Sequence, residues 1–541
     1  MEVNFVDKKE INNRIWNFLS AIRGSEDMTK ILPAALAVYR VKKMGLKDYR
    51  EIYEALKVES SRLGAYSLFN REDAALHIYL DMPEQLDWGF LLQKLSEVAG
   101  KMMDMSILPE ALVRMMEGGF NRDPENVLIV EGEKFVSRLM EMIEGHPGTH
   151  FTISSQREMY VELLKTITEK YENVSVVESN VYGANYINER FDMILASPAF
   201  GARTLSEDPT FICRELEMVA LENLLTHLNS GGDLIIVLPG RVTFAQGKIG
   251  TLRNFIQSTY TLKEIDALPT GVFANTAIQT YLINIQNTRP TGDDVIIRKY
   301  GAGERRTKRT VIEELVLEDD TFVMLDELEE MGSWSVERIF EQQSEEWQAF
   351  NGSSTRKEIL GNIAEIFRGK NVTKKVPNGK IGVINISNIG EYALNRDNLD
   401  YIDEEERKVQ SYLLKEGDVL LPGRGTAIRV AVFHEEDFSF PCIASSNVIV
   451  IRPDEKVLKS VYLKIFLDSP IGGKIISQAQ QGTAVMNISY KDLNDIEVPL
   501  PTMEEQNDIT VKYEYELRYF QETIRKAKER WKGVLAELEQ F

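Results

Sequence analysis

Four residues at the end of an apolar run carry the most specific chemistry in this sequence: Ser197-Pro198-Ala199-Phe200 follows Phe191-Asp-Met-Ile-Leu195. A serine hydroxyl and the neighbouring carbonyls accept hydrogen bonds from an amino group, and an aromatic ring can stack on a planar base lifted out of its helix. A second set is basic. Arg356, Lys357, Arg368, Lys370, Lys374, Lys375 and Lys380 fall in one stretch with Glu358 and Glu365. Such a face suits phosphate contact, and a plain solvated surface has the same composition. Further on, Arg424 and Arg429 flank a Gly-containing turn with Thr426, where forked guanidinium groups can reach guanine edges.

Other chemistries find little support. Cys213 and Cys442 lie far apart, and the five histidines form no metal-ligand spacing. His146 and His150 are four apart, but Pro147 and Gly148 between them indicate a turn. No metal is expected. No apolar run reaches the ~20 residues of a membrane span, and Met1 to Glu10 are charged and lack an apolar signal core, which reads as a cytoplasmic protein. The net charge of −21 is unevenly spread. Residues from Asn351 onward are close to balance, so the acidic excess belongs to what precedes them.

The elements that must position these residues follow from periodicity. Residues 1–103 repeat apolar positions at helical spacing, as in Ile11, Ile15, Phe18 and Leu19, then Ile31, Leu32, Leu36 and Tyr39. Over 104–350, strand-like runs alternate with helices: Val127–Val130, Phe151–Ile153, Val174–Val177, Phe191–Leu195 and Leu234–Leu238. This alternation predicts a parallel sheet covered on both faces, with Ser197 at the strand end where such sheets place their sites. The Gly, Pro and charge of Thr288 to Arg309 predict that the chain leaves the sheet there, and the small polar run Asn351–Thr355 predicts a boundary. Short strands dominate 351–504. Residues 505–541 read as one helix, because Glu504 to Leu538 has no Pro.

With Leu228-Asn-Ser-Gly-Gly232-Asp-Leu-Ile-Ile-Val-Leu-Pro239, Leu268-Pro269-Thr-Gly271-Val-Phe273 and Leu108-Pro109-Glu-Ala-Leu-Val-Arg-Met-Met116, the Ser197 tetrapeptide resembles the modification subunit of Type I restriction–modification systems, an adenine-N6 methyltransferase. The resemblance implies Ser197, Pro198 and Phe200 as catalytic positions, with Ala199 departing from the family's second Pro, and S-adenosylmethionine as cofactor. It breaks where that cofactor should bind. The family's first strand ends in Asp-Pro-x-x-Gly-x-Gly; here Ile129 and Val130 stand for Asp-Pro, and Glu133 and Phe135 for the glycines. Glu131 and Gly132 are displaced substitutes. Glu158 and Asn180 are the remnants of the acidic positions after the second and third strands. Bulky and acidic side chains where backbone must approach closely imply that cofactor binding is lost.

Five segments resemble Type I specificity subunits: Ile363-Ala-Glu-Ile-Phe-Arg368-Gly369-Lys370 through Lys375, Gly382 through Ile389, Leu414 through Thr426, Gly482 through Leu493, and Ile496 through Gln506. They imply one target-recognition domain that lies along double-stranded DNA, with Arg368, Lys370, Lys374, Lys375, Ser387, Asn388, Arg424, Thr426 and Arg429 as its contact candidates. In the final helix Tyr513, Leu517, Phe520, Ile524, Ala527, Trp531, Val534 and Leu538 are spaced alternately four and three apart. That period favours a coiled-coil seam over packing on the helix's own domain, so Leu517, Phe520, Ile524, Trp531 and Leu538 are dimerisation candidates.

The expected architecture is a helical N-terminal domain, a Rossmann-like α/β methyltransferase-type sheet, and an α+β recognition domain with a long C-terminal helix. The expected function is a sequence-specific DNA-binding subunit of a restriction–modification or phage-defence system, with an inactive methyltransferase-like core. The alternative is an active methyltransferase with a divergent cofactor loop, and a structural adaptor is a third reading. Partners would be DNA, a second copy or another modification- or specificity-type subunit, and a separate restriction subunit, because the sequence has no phosphate-binding Gly-Lys-Ser/Thr loop.

Overall fold

The computed structural model describes the chain apart from residues 1–14, 19, 21–27, 83–86, 104–105, 205–207, 274–277, 293, 304–311, 313, 378, 425–428, 479, 482–486, 489 and 539–541. It forms two compact units, Met1–Val336 and Glu337–Phe541.

The first unit is built on a nine-stranded sheet: β1 (Asn126–Val130), β2 (His150–Ser155), β3 (Val174–Glu178), β4 (Phe191–Ala196), β5 (Leu228–Pro239), β6 (Thr261–Ala267), β7 (Thr280–Gln286), β8 (Asp294–Ala302) and β9 (Leu315–Met324). Their order is β3-β2-β1-β4-β5-β7-β6-β8-β9. Strands β1 to β5 are mutually parallel, and β7 runs antiparallel between β5 and β6. The chain builds outward from β1 to β3 and then returns to lay β4 on the other side of β1. Open α/β sheets place their sites at such a reversal, beyond the carboxyl ends of the strands that flank it, here β1 and β4. In register, Val130 faces Ser154 on one side and Ala196 on the other. Glu131 and Ser197, the next residues of their strands, are thereby brought to the same edge.

Ahead of the sheet lie helices α1 (Ile31–Lys43), α2 (Tyr49–Arg62), α3 (Glu72–Asp81) and α4 (Trp88–Met103). Asp48 caps α2, its carboxylate accepting from Arg50 N at 2.9 Å and Glu51 N at 3.1 Å. These helices have no core of their own. Ile31, Leu36, Leu91 and Leu95 belong to one apolar cluster with Val127, Phe151, Leu163 and Leu195. Arg40 joins the two regions through ion pairs to Glu59 and Glu162. The helical region read from residues 1–103 is thus packed as part of the sheet's unit, because Ile31 to Tyr39 of α1 are apolar on every side and need cover all round.

One expectation is corrected. The chain does not leave the sheet at residue 288; it returns as β8 and β9, which extend the sheet beyond β6. Val295 and Ile297 are buried between exposed Asp294, Ile296 and Arg298's half-buried stem. This period-two alternation is short, and the flanking Gly and Pro residues masked it.

In the second unit, β10 (Lys357–Ile359) pairs antiparallel with Glu497–Pro499, closing the domain's two ends on each other. Strands β11 (Ala364–Arg368), β12 (Ile381–Ile384), β13 (Asp400–Ile402), β14 (Val419–Pro422), β15 (Ala431–Val432), β16 (Cys442–Ala444) and β17 (Val448–Pro453) form two small sheets, β11-β17-β14-β15 and β13-β12-β16. The unit begins before the Asn351–Thr355 run. The helix Glu345–Gly352 already belongs to it, with the Phe350 ring 6.2 Å from Phe466. A final helix, Met503–Leu538, runs for 36 residues. Buried Gln506 anchors its start, donating to Val457 O and Pro501 O, both at 3.0 Å, and accepting from Lys459 N at 2.9 Å.

Candidate functional site

Beyond β1 the backbone turns sharply. Glu131 adopts the left-handed conformation (φ 53°), and Gly132–Phe135 follow as a single 3-10 turn. All five residues are buried, so the Glu131 carboxylate needs partners inside the protein. Its Oε2 accepts from Lys134 Nζ at 2.7 Å and from the Tyr182 hydroxyl at 3.1 Å; Oε1 accepts from Gln156 Nε2 at 3.3 Å. Lys134 Nζ also donates to the Ser197 carbonyl at 2.7 Å. The Tyr182 oxygen accepts from Ala199 N at 2.7 Å. Two arms from one carboxylate therefore grip the tetrapeptide on either side of Pro198.

The tetrapeptide's exit is fixed as well. Gly201 has φ 87°, a conformation that favours glycine, and the neighbouring Glu217 carboxylate is buried, which pushes it above the usual range. Ser197 and Pro198 are buried, whereas Phe200 is half-buried with its ring edge-on to Phe273 at 5.7 Å. Beside Tyr182 lies a cavity of about 350 Å³ whose walls include Phe211, Cys213, Val219 and Lys248. Neither Glu131 nor Gly132 lines it.

The four cofactor candidates are not gathered. Glu131 and Gly132 are interior, while Glu158 is exposed in the first turn of the helix Glu158–Ile167. Asn180 is exposed too, its Oδ1 accepting from Tyr182 N at 3.0 Å in a local turn. Space at Gly132 is closed: a Cβ there would lie 2.2 Å from Ile153 Cγ2. Glu133 is buried with Oε2 unpartnered, and burial raises its carboxyl to about 7. Sequence reasoning missed Lys134, Tyr182, Gln156 and Glu217. Of these only Lys134 left a trace, as a lysine three residues from Glu131, directly after an apolar strand. Of the spaced histidines, His146 stacks on Phe120 at 4.0 Å and His150 Nε2 meets Ser175 Oγ at 3.5 Å, two unrelated surroundings.

In the second unit the basic candidates differ in their surroundings. Lys374, Arg424 and Arg429 are exposed. Exposed Arg368 donates to Ile488 O at 3.3 Å. Lys375 pairs with Asp400 at 2.5 Å and holds that carboxyl below its usual value; Lys370 lies 3.6 Å from Glu404. Exposed pairs of this kind are worth little and can be exchanged for phosphate. Ser387 is exposed, but Asn388 is not available for base contact. It is 2% exposed, accepting from Asn385 N and donating to Asn395 O and Asp397 O. A buried amide is better used to satisfy its own loop's backbone. Thr426 lies outside the described residues.

Along the final helix Tyr513 packs on its own unit, its hydroxyl 2.9 Å from Lys464 Nζ, and Phe520 meets Tyr392 at 5.6 Å between ring centres. Leu517 and Ile524 are half-buried, and Trp531 (66%) and Val534 (52%) are exposed. The Leu538 side chain lies outside the described residues.

No described helix is long and apolar enough to cross a membrane. The N-6 DNA Methylase family model matches residues 162–359, and the Type I restriction modification DNA specificity domain model matches residues 356–512. The Type I restriction enzyme EcoBI specificity subunit of Escherichia coli is 25% identical over 140 residues, 26% of this chain and 29% of its own length. The chain thus spans less than a third of that curated relative. Among solved structures, the type I restriction–modification methyltransferase subunit of Streptococcus thermophilus is similar at 14% identity and TM-score 0.46, covering 61% of this chain and 98% of its own. The type IIG restriction endonuclease BpuSI is similar at 10% identity and TM-score 0.45, covering 93% of this chain and 74% of its own. One chain thus carries a match to the N-6 DNA Methylase model followed directly by a match to the Type I restriction modification DNA specificity domain model.

Proposed function

We propose that this chain is a sequence-specific DNA-binding subunit of a restriction–modification or phage-defence system, in which the methylase-type domain serves as scaffold. The observation that carries the reading is the specificity-type domain of residues 356–512, with Lys374, Arg424 and Arg429 exposed on it. Lysines would hold phosphates and fix register, and the two arginines would read base edges. Selection of duplexes from a random library by the full chain tests this. Enrichment of one short motif is expected, and recovery of random sequence counts against it.

S-adenosylmethionine is the cofactor that the methylase fold implies, and the residues at the β1 turn do not fit it. Gly132 is backed by Ile153, the Glu131 carboxylate is already paired with Lys134, and Glu133 and Phe135 fill the interior. The family match also begins at residue 162, beyond this turn. Loss of cofactor binding follows from this reading. One observation favours the alternative of a working adenine methylase: Ser197, Pro198 and Phe200 keep the strand-end position. Methyl transfer to DNA by the chain alone would establish it.

The final helix would pair two chains. Glu514 and Glu516 flank the first half of the seam, and Lys528 and Arg530 the second. An antiparallel register with Tyr513 opposite Trp531 of a second copy sets Glu514 beside Arg530 and Glu516 beside Lys528, whereas parallel pairing does not. Two recognition domains would then read a split, inverted target. Another modification- or specificity-type subunit is the runner-up partner, and cutting would need a separate restriction subunit.

A further inference from the structure

Lys134 is buried at 9% exposure, yet its ammonium is held by two acceptors, Glu131 Oε2 and the Ser197 carbonyl, each at 2.7 Å. A lysine is rarely placed inside a protein unless a specific charge receives it. Here the charge it meets is the carboxylate at the end of β1, and the carbonyl it meets belongs to the tetrapeptide at the end of β4. A ligand with an amino-acid tail that reached these strand ends would offer a primary ammonium to the same carboxylate. Lys134 supplies that ammonium from within the chain. Its own backbone is tied down too, the Lys134 carbonyl accepting from Leu108 N at 2.8 Å.

We propose that Lys134 is the resident cation of the methylase-type centre, a covalently attached occupant that neutralises Glu131 and holds the Ser197–Phe200 tetrapeptide closed. This rests on the reading that the centre does not bind its ancestral cofactor. Lys134 is a positioning residue: it acts on the tetrapeptide through a carbonyl and catalyses nothing.

Chemical rescue tests it on the full chain. Lys134→Ala removes a propylammonium from the site and leaves Glu131 unpaired, so the melting temperature of the first unit should fall. Added n-propylammonium should restore it saturably, whereas propanol, which has similar bulk and no charge, should not. Equal rescue by propanol would reduce Lys134 to a space-filler and overturn the proposal, as would the absence of any saturable rescue. Should Lys134→Ala not fold, Lys134→Met keeps the bulk and is compared in Glu131 and Glu131→Gln backgrounds. The methionine change should cost less once Glu131 has lost its charge, and an equal cost in both backgrounds would overturn the proposal. Calorimetric titration of the unaltered chain with S-adenosylmethionine separates the two readings. Micromolar binding would bring down the scaffold reading and the resident cation with it, whereas no binding together with failed rescue would bring down the resident cation alone.

Discussion

Ser197 and Phe200 were legible because their spacing is a motif, whereas Lys134 and Tyr182 come from different segments and meet only through the strand order. Nothing in the sequence says that Tyr182, fifty-one residues after Glu131, should share its carboxylate. Asn388 was misread for a related reason, since a polar residue in a recognition segment looks like a base reader until its loop is seen to consume its amide. At this scale, Gly132→Ala should destabilise the first unit by about 1–3 kcal/mol, because its methyl would lie 2.2 Å from Cγ2 of the buried Ile153; urea denaturation measures this, and a neutral effect would show that the turn is loosely packed. Glu133 gives a pH signature. Its carboxyl is raised from 4.5 to about 7 in the folded chain. Its contribution to stability is therefore full below pH 4.5 and is lost as pH rises through 7. Denaturation at several pH values should find that decline in the unaltered chain and a shallower one in Glu133→Gln. Identical profiles would mean that Glu133 ionises freely.

At the scale of elements, apolar runs such as Val127–Val130 and Leu234–Leu238 were legible as strands because buried parallel strands are continuous in their hydrophobicity. The hairpin of β8 and β9 was not, since its alternation is half polar and sits between turn-forming residues. Likewise the helices ahead of the sheet read as a domain, because periodicity reports that a helix has an apolar face and says nothing of what covers it. The basic turn after β11 makes its own prediction. Replacing Lys374 and Lys375 by Ala should weaken binding to all duplexes alike and lower the slope of log affinity against log salt by about 0.9 for each phosphate no longer neutralised. An unchanged slope would remove both from the interface. For the final helix, Ile524→Asp with Trp531→Asp should convert a dimer into a monomer in sedimentation while the recognition domain stays folded, because charge in a seam has no compensating partner. A monomer before the change would end the pairing proposal.

For the whole molecule, the two-family composition was legible from ordered, well-spaced segments, and the boundary was not. The Asn351–Thr355 run looks like a linker, but the division falls after Val336, because the helix Glu345–Gly352 packs on Phe466. The net charge of −21 would argue against nucleic acid if it were uniform. Its concentration ahead of the specificity domain leaves that domain free to meet phosphates. On the proposed function, this chain reads DNA sequence without cofactor chemistry. The most direct test is the equilibrium affinity of the full chain for a duplex carrying the selected motif and for a scrambled duplex, at one fixed salt concentration, with and without S-adenosylmethionine. A preference of at least ~10³ for the motif that S-adenosylmethionine leaves unchanged is expected; equal affinity for the two duplexes, or a preference that appears only with the cofactor, would overturn the proposed function.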